Sequence, residues 1–308
     1  MSAQASVDEF APRVVPPPKR SRARELLQNP WGRTRFLWVF AIGYVVWTLF
    51  PVANAVLFSF NSARSLAQWQ GFSLRWYVAD PDNSVLHDPA LGHAILQSLK
   101  LATLAACIAV PIGVAFALAL HRWRTRTAKT ANFTMMFSFV TPELILAVSL
   151  FLLLINAFKT IGLGTTAQLI GLVVLALAYP VVIVRARLLS LGSSYEEAAL
   201  DLGASPVRTL ARVTLPLLGP SILASGAVVF ALTLDDFVIV DQLSRDAGDQ
   251  TVSMAIYGAA RTGPTPAANA IGTIMLTAST IIIAIAFVVY RRTVRRREGN
   301  EAMRGLPA

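Results

Sequence analysis

Three carboxylates lie inside long apolar runs of the sequence, where a charge is costly. Glu143 falls in "VTPELILAVSL", and Asp235 and Asp236 fall in "ALTLDDFVIVDQ". In a low-dielectric surrounding such a group attracts cations strongly, so a carboxylate within a membrane span suggests a functional role. The three acids are therefore candidates for a pathway taken by a cationic solute. The alternative is structural, with Asp235 or Asp236 capping a helix break and Glu143 paired with Lys100 or with backbone groups.

Other residue types that carry chemistry form no arrangement typical of an active site. The three histidines, His87, His93 and His121, and the single Cys107 match no HExxH, G-x-S-x-G or cysteine metal-site spacing. A G-x-x-x-x-G-K-[ST] phosphate-binding loop is also absent from the sequence. We therefore expect a chain without catalytic residues, without a metal and without a bound cofactor.

The stretch "SSYEEAALDLGASPVRTLARVTLPLLGP", residues 193–220, is half-charged and lies between two apolar runs. Ser194 and Glu197 have the spacing of a capping box, which begins a helix. Gly203 can adopt the left-handed conformation that ends it, and Ser205 with Pro206 resembles the start of a second helix. The stretch predicts a surface helix pair. It would either dock in a groove of another protein or lie on lipid headgroups.

The elements that position these residues are membrane spans. The chain is 55% hydrophobic and 14% charged, which is typical of a membrane protein. Runs long enough to cross a bilayer of ~30 Å as helices predict an all-α membrane protein with six transmembrane helices. The predicted spans are residues 36–60, 94–120, 133–158, 167–184, 222–240 and 270–290. An uncleaved first helix is favoured over a secretory signal ending at "ANA", because the apolar run continues past that site.

Lysines and arginines orient the predicted bundle. With the N-terminus in the cytoplasm, 21 of the 27 fall inside and five outside, with Lys100 in a span. Both termini are predicted to be cytoplasmic, and the net charge of +10 is explained by anionic lipid without a nucleic-acid partner. We expect a disordered, basic, Pro-rich arm over residues 1–30, a transmembrane domain over 31–292 with its cytoplasmic loop at 189–220, and a basic cytoplasmic tail over 293–308.

The loop is similar to a known motif. Glu197, Ala198, Ala199, Gly203, Val213, Leu215 and Pro216 match the EAA motif of bacterial ABC importer permeases, with valine for the commoner isoleucine. The resemblance covers nearly all of the chain after residue 30. It implies the type I ABC importer permease fold, in which the loop is a coupling helix that inserts into the ATPase subunit. The implied coupling residues are Glu197, Ala198, Ala199, Gly203, Leu215 and Pro216.

Further segments resemble the second permease of spermidine and putrescine import systems. These are "TPELILAVSL", "TLDDFVIVDQLS" and "SMAIYGAARTGPTPAANAIGTIML", which add Tyr257 to the candidate pathway of Glu143, Asp235 and Asp236. The resemblance implies a polyamine importer in the bacterial inner membrane. Its implied partners are a second permease subunit in a heterodimer, two ATPase subunits that use ATP and Mg, and an external solute-binding protein. Another organic solute, or an ATP-independent secondary transporter, is the alternative.

Overall fold

The computed structural model describes residues 34–81, 84–85, 87–122, 126–262 and 265–304. The predicted arm over residues 1–30 lies outside these ranges. The chain divides into two compact units, Met1–Asn54 and Ala55–Ala308, with the division inside the first described helix. Apart from one isolated antiparallel bridge between Asn61 and Phe72, the regular structure of the described residues is helical.

Twelve α-helices carry the described chain. In order they are α1 Thr34–Ser59, α2 Pro89–Arg122, α3 Arg126–Val140, α4 Glu143–Asn156, α5 Thr165–Ala176, α6 Ala178–Leu191, α7 Ser194–Asp201, α8 Pro206–Thr209, α9 Leu215–Asp235, α10 Val238–Leu243, α11 Val252–Thr262 and α12 Pro266–Arg304. Short π-helical turns at Arg75–Ala79 and Leu210–Thr214 and a 3-10 turn at Ala247–Asp249 join them.

Five segments of the described chain are long and apolar enough to cross a membrane. They are Leu37–Ser59, Pro89–Arg122, Thr165–Leu191, Pro206–Asp235 and Pro266–Val288. These correspond to the first, second, fourth, fifth and sixth predicted spans. The helix of the last span continues to Arg304, so most of the predicted tail over 293–308 is helical.

The predicted third span over residues 133–158 is not one continuous helix. The chain forms α3 and α4 there, with a break at Thr141 and Pro142. Proline has no N–H to donate and disfavours helical backbone at the preceding residue. Pro142 is extended, with φ −57° and ψ 134°, and Glu143 begins α4 instead of lying within a helix. The predicted fifth span over 222–240 is also interrupted, because α9 ends at Asp235.

Helix α2 lies at the centre of the second unit, where it packs against α5, α6, α9 and α11. Small residues three or four positions apart line its buried face: Ala102, Ala105, Ala109, Gly113 and Ala117. Small side chains allow helix backbones to approach closely, which is how helices associate in lipid. The approach is close at Gly113, where a Cβ atom would lie 2.7 Å from Pro180 Cβ of α6.

A polar network holds the start of α5 against the chain that follows α10. Asp249 is buried, and its Oδ1 accepts hydrogen bonds from Thr165 N and Thr165 Oγ1, both at 2.8 Å. Gln168 Nε2 donates to the carbonyls of Val240 and Asp249, both at 3.0 Å. Burial acts to raise the pKa of Asp249, but the hydrogen bonds from Thr165, Arg245 and Asp246 outweigh it and lower that pKa below its usual 3.8.

Gly171 in α5 lies where α5 packs closely against α10. A Cβ atom at Gly171 would lie 2.5 Å from Ile239 Cγ2 and 2.7 Å from Leu243 Cδ1, and both side chains are fully buried in α10. Overpacking costs roughly 1–3 kcal/mol, whereas glycine to alanine in a helix gains about 1 kcal/mol. We expect Gly171→Ala to lower the thermal midpoint of the purified protein by a few degrees. Gly219→Ala in α9, where nothing lies within 4 Å, should leave or raise it; equal midpoints would contradict this packing.

Candidate functional site

The predicted helix pair is present in the stretch from Ser193 to Pro216, here called the EAA segment. Gly203 has φ 82°, the left-handed conformation predicted for it, and lies between α7 and α8. Ser205 caps α8 as predicted, because its extended backbone lets its side chain accept from Arg208 N at 3.4 Å, with Pro206 in the first turn.

The predicted capping box of Ser194 and Glu197 is wrong. Helix α7 begins at Ser194 itself, so the N-cap is Ser193, which has helical backbone and makes no side-chain cap hydrogen bond. Glu197 takes part only through its backbone N, which donates to Ser193 O at 2.9 Å. The third helical position belongs to Glu196. Among the described residues, no side-chain hydrogen bond or ion pair holds the Glu197 carboxylate, which is exposed.

Glu196 ties α7 to two other elements. Its Oε1 accepts from Thr214 Oγ1 at 2.7 Å and from Arg122 Nη2, at the end of α2, at 3.2 Å. The hydrogen bond from Thr214 lowers the pKa of Glu196 below its usual 4.5; burial opposes this, and the hydrogen bond and charge of Arg122 assist it. The contact joins α7 to the ends of α2 and of the π-helical turn before α9.

The outer surface of the EAA segment carries exposed apolar side chains among its charged ones. No residue of α7 is buried, and Ala198 is exposed beside Glu197. Four large apolar side chains of this segment are also exposed: Tyr195, Leu200, Leu202 (89% exposed) and Val207 (77% exposed). Grouped apolar exposure of this kind marks a surface that another body covers. The remaining motif positions Ala199, Leu215 and Pro216 are half-buried, and the last two begin α9.

Asp235 and Asp236 lie at the break between α9 and α10. Asp235 is the last residue of α9 and is exposed, whereas Asp236 is buried. Asp236 Oδ1 accepts from Ile239 N at 3.0 Å and Val240 N at 3.3 Å, so it caps α10. This is the capping contact that the structural alternative predicts for Asp236, and a role of Asp236 in the pathway stays a prediction. Glu143 lies in the first turn of α4, with its carboxyl near that of Asp236, and no ion pair joins it to Lys100 in the described structure.

Tyr257 on α11 lies beside the same break. Its ring is 4.2 Å from that of Phe237, which directly follows the two aspartates. Arg261 Nη2 donates to the Tyr257 hydroxyl at 2.6 Å, and its guanidinium carbon lies 4.6 Å from the ring centroid. Ser253 Oγ donates to Asp236 O at 2.6 Å, which joins α11 to the break. The structure therefore brings all four predicted pathway residues to one region.

Sequence reasoning missed four residues of these sites: Glu196, Phe237, Ser253 and Arg261. Phe237 and Glu196 adjoin residues that were singled out, so adjacency was a usable signal. Arg261 stands four positions after Tyr257, the spacing of neighbours on a helix. Nothing local indicates that Ser253 reaches Asp236. Among the described residues, no group of three or more His, Cys, Asp or Glu side chains is placed to hold a metal ion.

Residues 109–299 match the protein family described as "Binding-protein-dependent transport system inner membrane component". "Putrescine transport system permease protein PotI" of Escherichia coli (strain K12) is 32% identical over 277 residues, covering 88% of this chain and 95% of that protein. "Spermidine/putrescine transport system permease protein PotC" of Haemophilus influenzae is 31% identical over 252 residues, covering 81% and 92%.

Solved structures share the fold at low sequence identity. A chain of a bacterial ABC transporter involved in the import of the acidic polysaccharide alginate aligns with a TM-score of 0.69 at 16% identity, covering 87% of this chain and 99% of that one. A chain of the MetNI methionine ABC transporter aligns with a TM-score of 0.58 at 16% identity, covering 66% and 96%. At this identity the likeness shows the fold alone.

The contact of Glu196 with Thr214 and Arg122 should fix α7 in a pH-dependent way. A carboxylate whose pKa is lowered by folding stabilises the fold above its unfolded pKa, and this contribution is lost as the pH falls through the folded pKa. Glu196→Gln removes the charge, a change worth roughly 1 kcal/mol for such a half-exposed group. We expect the amides of α7 to exchange hydrogen about fivefold faster at pH 7, measured by mass spectrometry.

The difference between wild type and Glu196→Gln should shrink as the pH falls below 4.5, since protonation then neutralises the wild-type side chain too. The matched control is Glu197→Gln, one position further along the same helix, which should exchange like wild type at both pH values. Equal effects of the two substitutions would show that Glu196 holds nothing in place.

Proposed function

Because the chain belongs to the family of binding-protein-dependent transport system inner membrane components and is a permease component of ABC importers, we propose that it passes polyamines such as putrescine and spermidine. Its curated relatives named above carry polyamine transport in their names. The single observation that carries the proposal is the exposed carboxylate of Asp235 at the C-terminal end of α9.

The electrostatics of the break favour a cation. A helix C-terminus is the negative end of its dipole and presents backbone carbonyls, so cations are stabilised there. Asp235 adds a full negative charge at that end of α9. Interrupted helices whose C-terminal ends face the substrate or coupling ion are a recurring way of building transport sites. Asp236 serves this site by capping α10 and so holding the interruption open.

Tyr257 supplies an aromatic ring next to the carboxylates. Cations bind to aromatic faces, and the Tyr257 ring already carries the Arg261 guanidinium. In the proposed pathway an ammonium group of the solute would displace the Arg261 guanidinium from the Tyr257 ring. The guanidinium would stack on the ring again once the solute has left.

The EAA segment is the proposed docking surface for the ATPase subunit. Its exposed apolar residues would fill a cleft of the partner, and the free carboxylate of Glu197 would fix the register through a basic residue of that partner. ATP and Mg would be used by the partner, since this chain has no phosphate-binding loop. Within this chain no group is proposed to act as a catalyst.

The proposed assembly contains a second permease subunit, two ATPase subunits and an external solute-binding protein. A neighbour in fold was solved as an alginate ABC transporter in complex with a pentasaccharide-bound periplasmic protein, which supports the binding-protein part. Both termini are proposed to face the cytoplasm, on the distribution of lysine and arginine. That orientation puts the EAA segment on the side where ATP is available.

Uptake of labelled putrescine and spermidine tests the solute. In cells that lack this chain, restoring its gene should restore uptake that unlabelled polyamines block and that amino acids and sugars do not. Asp235→Asn should raise the concentration needed for half-maximal uptake by about tenfold with normal membrane amounts, because an exposed charge is lost without disturbing packing. Asp236→Ala should instead lower the amount of folded protein, because it removes the cap of α10. Restored uptake of another solute alone would refute the polyamine assignment while leaving the family unchanged.

Glu197→Lys tests the docking surface. Because Glu197 makes no cap, the substitution should leave the permease folded and inserted. Reversing its charge should repel the partner's basic residue, so that uptake falls at least tenfold and ATP hydrolysis no longer responds to the solute-loaded binding protein. Glu197→Gln, which keeps the shape, should show a smaller loss. Coupled transport at the wild-type rate in Glu197→Lys would remove Glu197 from the interface.

A further inference from the structure

A cavity of about 690 Å³ lies between α2, α3, α5 and α6, and its described lining includes neither the three carboxylates nor a residue of the EAA segment. Its size is within the range of ~300–1,000 Å³ typical of small-molecule sites. Its wall is largely apolar and includes Phe116, Met135, Val174, Leu177 and Val181.

The threonines of the wall do not make it polar. Thr130 Oγ1 donates to Arg126 O at 3.2 Å, and Thr134 Oγ1 donates to Thr130 O at 3.1 Å. Each hydroxyl thus donates its proton to a backbone carbonyl one turn earlier. Neither threonine therefore needs a hydrogen-bond acceptor from inside the cavity. A hydrocarbon chain suits this interior because most of its lining side chains are apolar.

Positive charge collects at one end of the cavity. Arg126, the first residue of α3, is the charged member of the described lining, and it lies at the end where α2 stops at Arg122. Arg185 lies one turn beyond Val181 on α6, towards the same end. Its Nη1 donates to Asn132 of α3, and its buried Nε has no acceptor among the described residues.

We propose that this cavity binds an anionic phospholipid, with an acyl chain in the apolar interior and the phosphate on Arg126, supported by Arg185. An apolar cavity with basic residues at one end matches a molecule that has a long hydrocarbon body and a negative head. Basic pockets between membrane helices recognise anionic headgroups in this way. A polyamine is excluded from the site because it carries the same sign of charge as the two arginines.

The purified importer, with its partner subunits, tests the site by native mass spectrometry. Phosphatidylglycerol and phosphatidylcholine with identical acyl chains are titrated separately. Phosphatidylglycerol should bind about fivefold more tightly, the difference expected for one basic residue near an anionic headgroup. Arg126→Gln should remove most of this difference, whereas the matched control Arg187→Gln, an exposed arginine on α6 outside the lining, should preserve it.

Two further arms separate the lipid from other occupants. Ala131→Phe, which narrows the cavity, should weaken the binding of both lipids, and glycerophosphoglycerol, which has the headgroup without acyl chains, should not compete. Equal binding of the two lipids to wild type, or competition by glycerophosphoglycerol, would overturn the proposal. A photo-crosslinking residue at position 134 that captures the second permease subunit instead of lipid would overturn it as well.

Discussion

The close approach of helices to the small-residue face of α2 is the constraint on which the second unit depends. Lipid gives helices no hydrophobic reason to associate, so contact must come from packing at short distance. Ala102, Ala105, Ala109 and Ala117 are fully buried, and Gly113 admits Pro180 where no side chain would fit. Larger side chains on other faces of α2, such as Ile112 and Phe116, are exposed, which suits a helix that meets neighbours on one face and hydrocarbon on another.

Close packing around α2 explains why the polar groups of the interior form definite networks. A buried polar group without a partner is costly, and more so where water is absent. Gln97 of α2 donates to Thr165 Oγ1 at 2.8 Å, and Ser98 accepts from Val252 N at 2.9 Å. These contacts tie the central helix to the loops that carry Asp249 and to α11. These contacts stabilise the chain around the helix break at Asp236. They do so although backbone hydrogen bonding is not continuous from α9 to α10.

Much of the architecture follows from sequence, and the failures have physical causes. The lengths of the apolar runs predicted five of the spans. Gly203, Ser205 and Pro206 predicted the turn and the start of α8, because those conformations depend on local chemistry. Proline alone did not distinguish the break at Pro142, since Pro111 and Pro220 lie inside continuous helices. The capping box failed by one residue: with Ser193 as N-cap, Glu196 has the right spacing, but its carboxylate bonds to Thr214 and Arg122. That competition joins residues 74 positions apart, which no local pattern reveals.

The proposed docking surface and the proposed solute site lie at opposite ends of α9. The EAA segment runs into α9 through the π-helical turn at Leu210–Thr214, and Asp235 ends α9 after 21 residues, a length of ~30 Å. Glu196 also clamps α7 to the end of α2, which packs along α9. A movement of α7 driven by a docked partner would therefore act on α2 and α9 together, because both are attached to it through Glu196. The buried cap at Asp236 is where that rigid segment ends, so the proposed solute site lies at the position where a shift of α9 changes the geometry most.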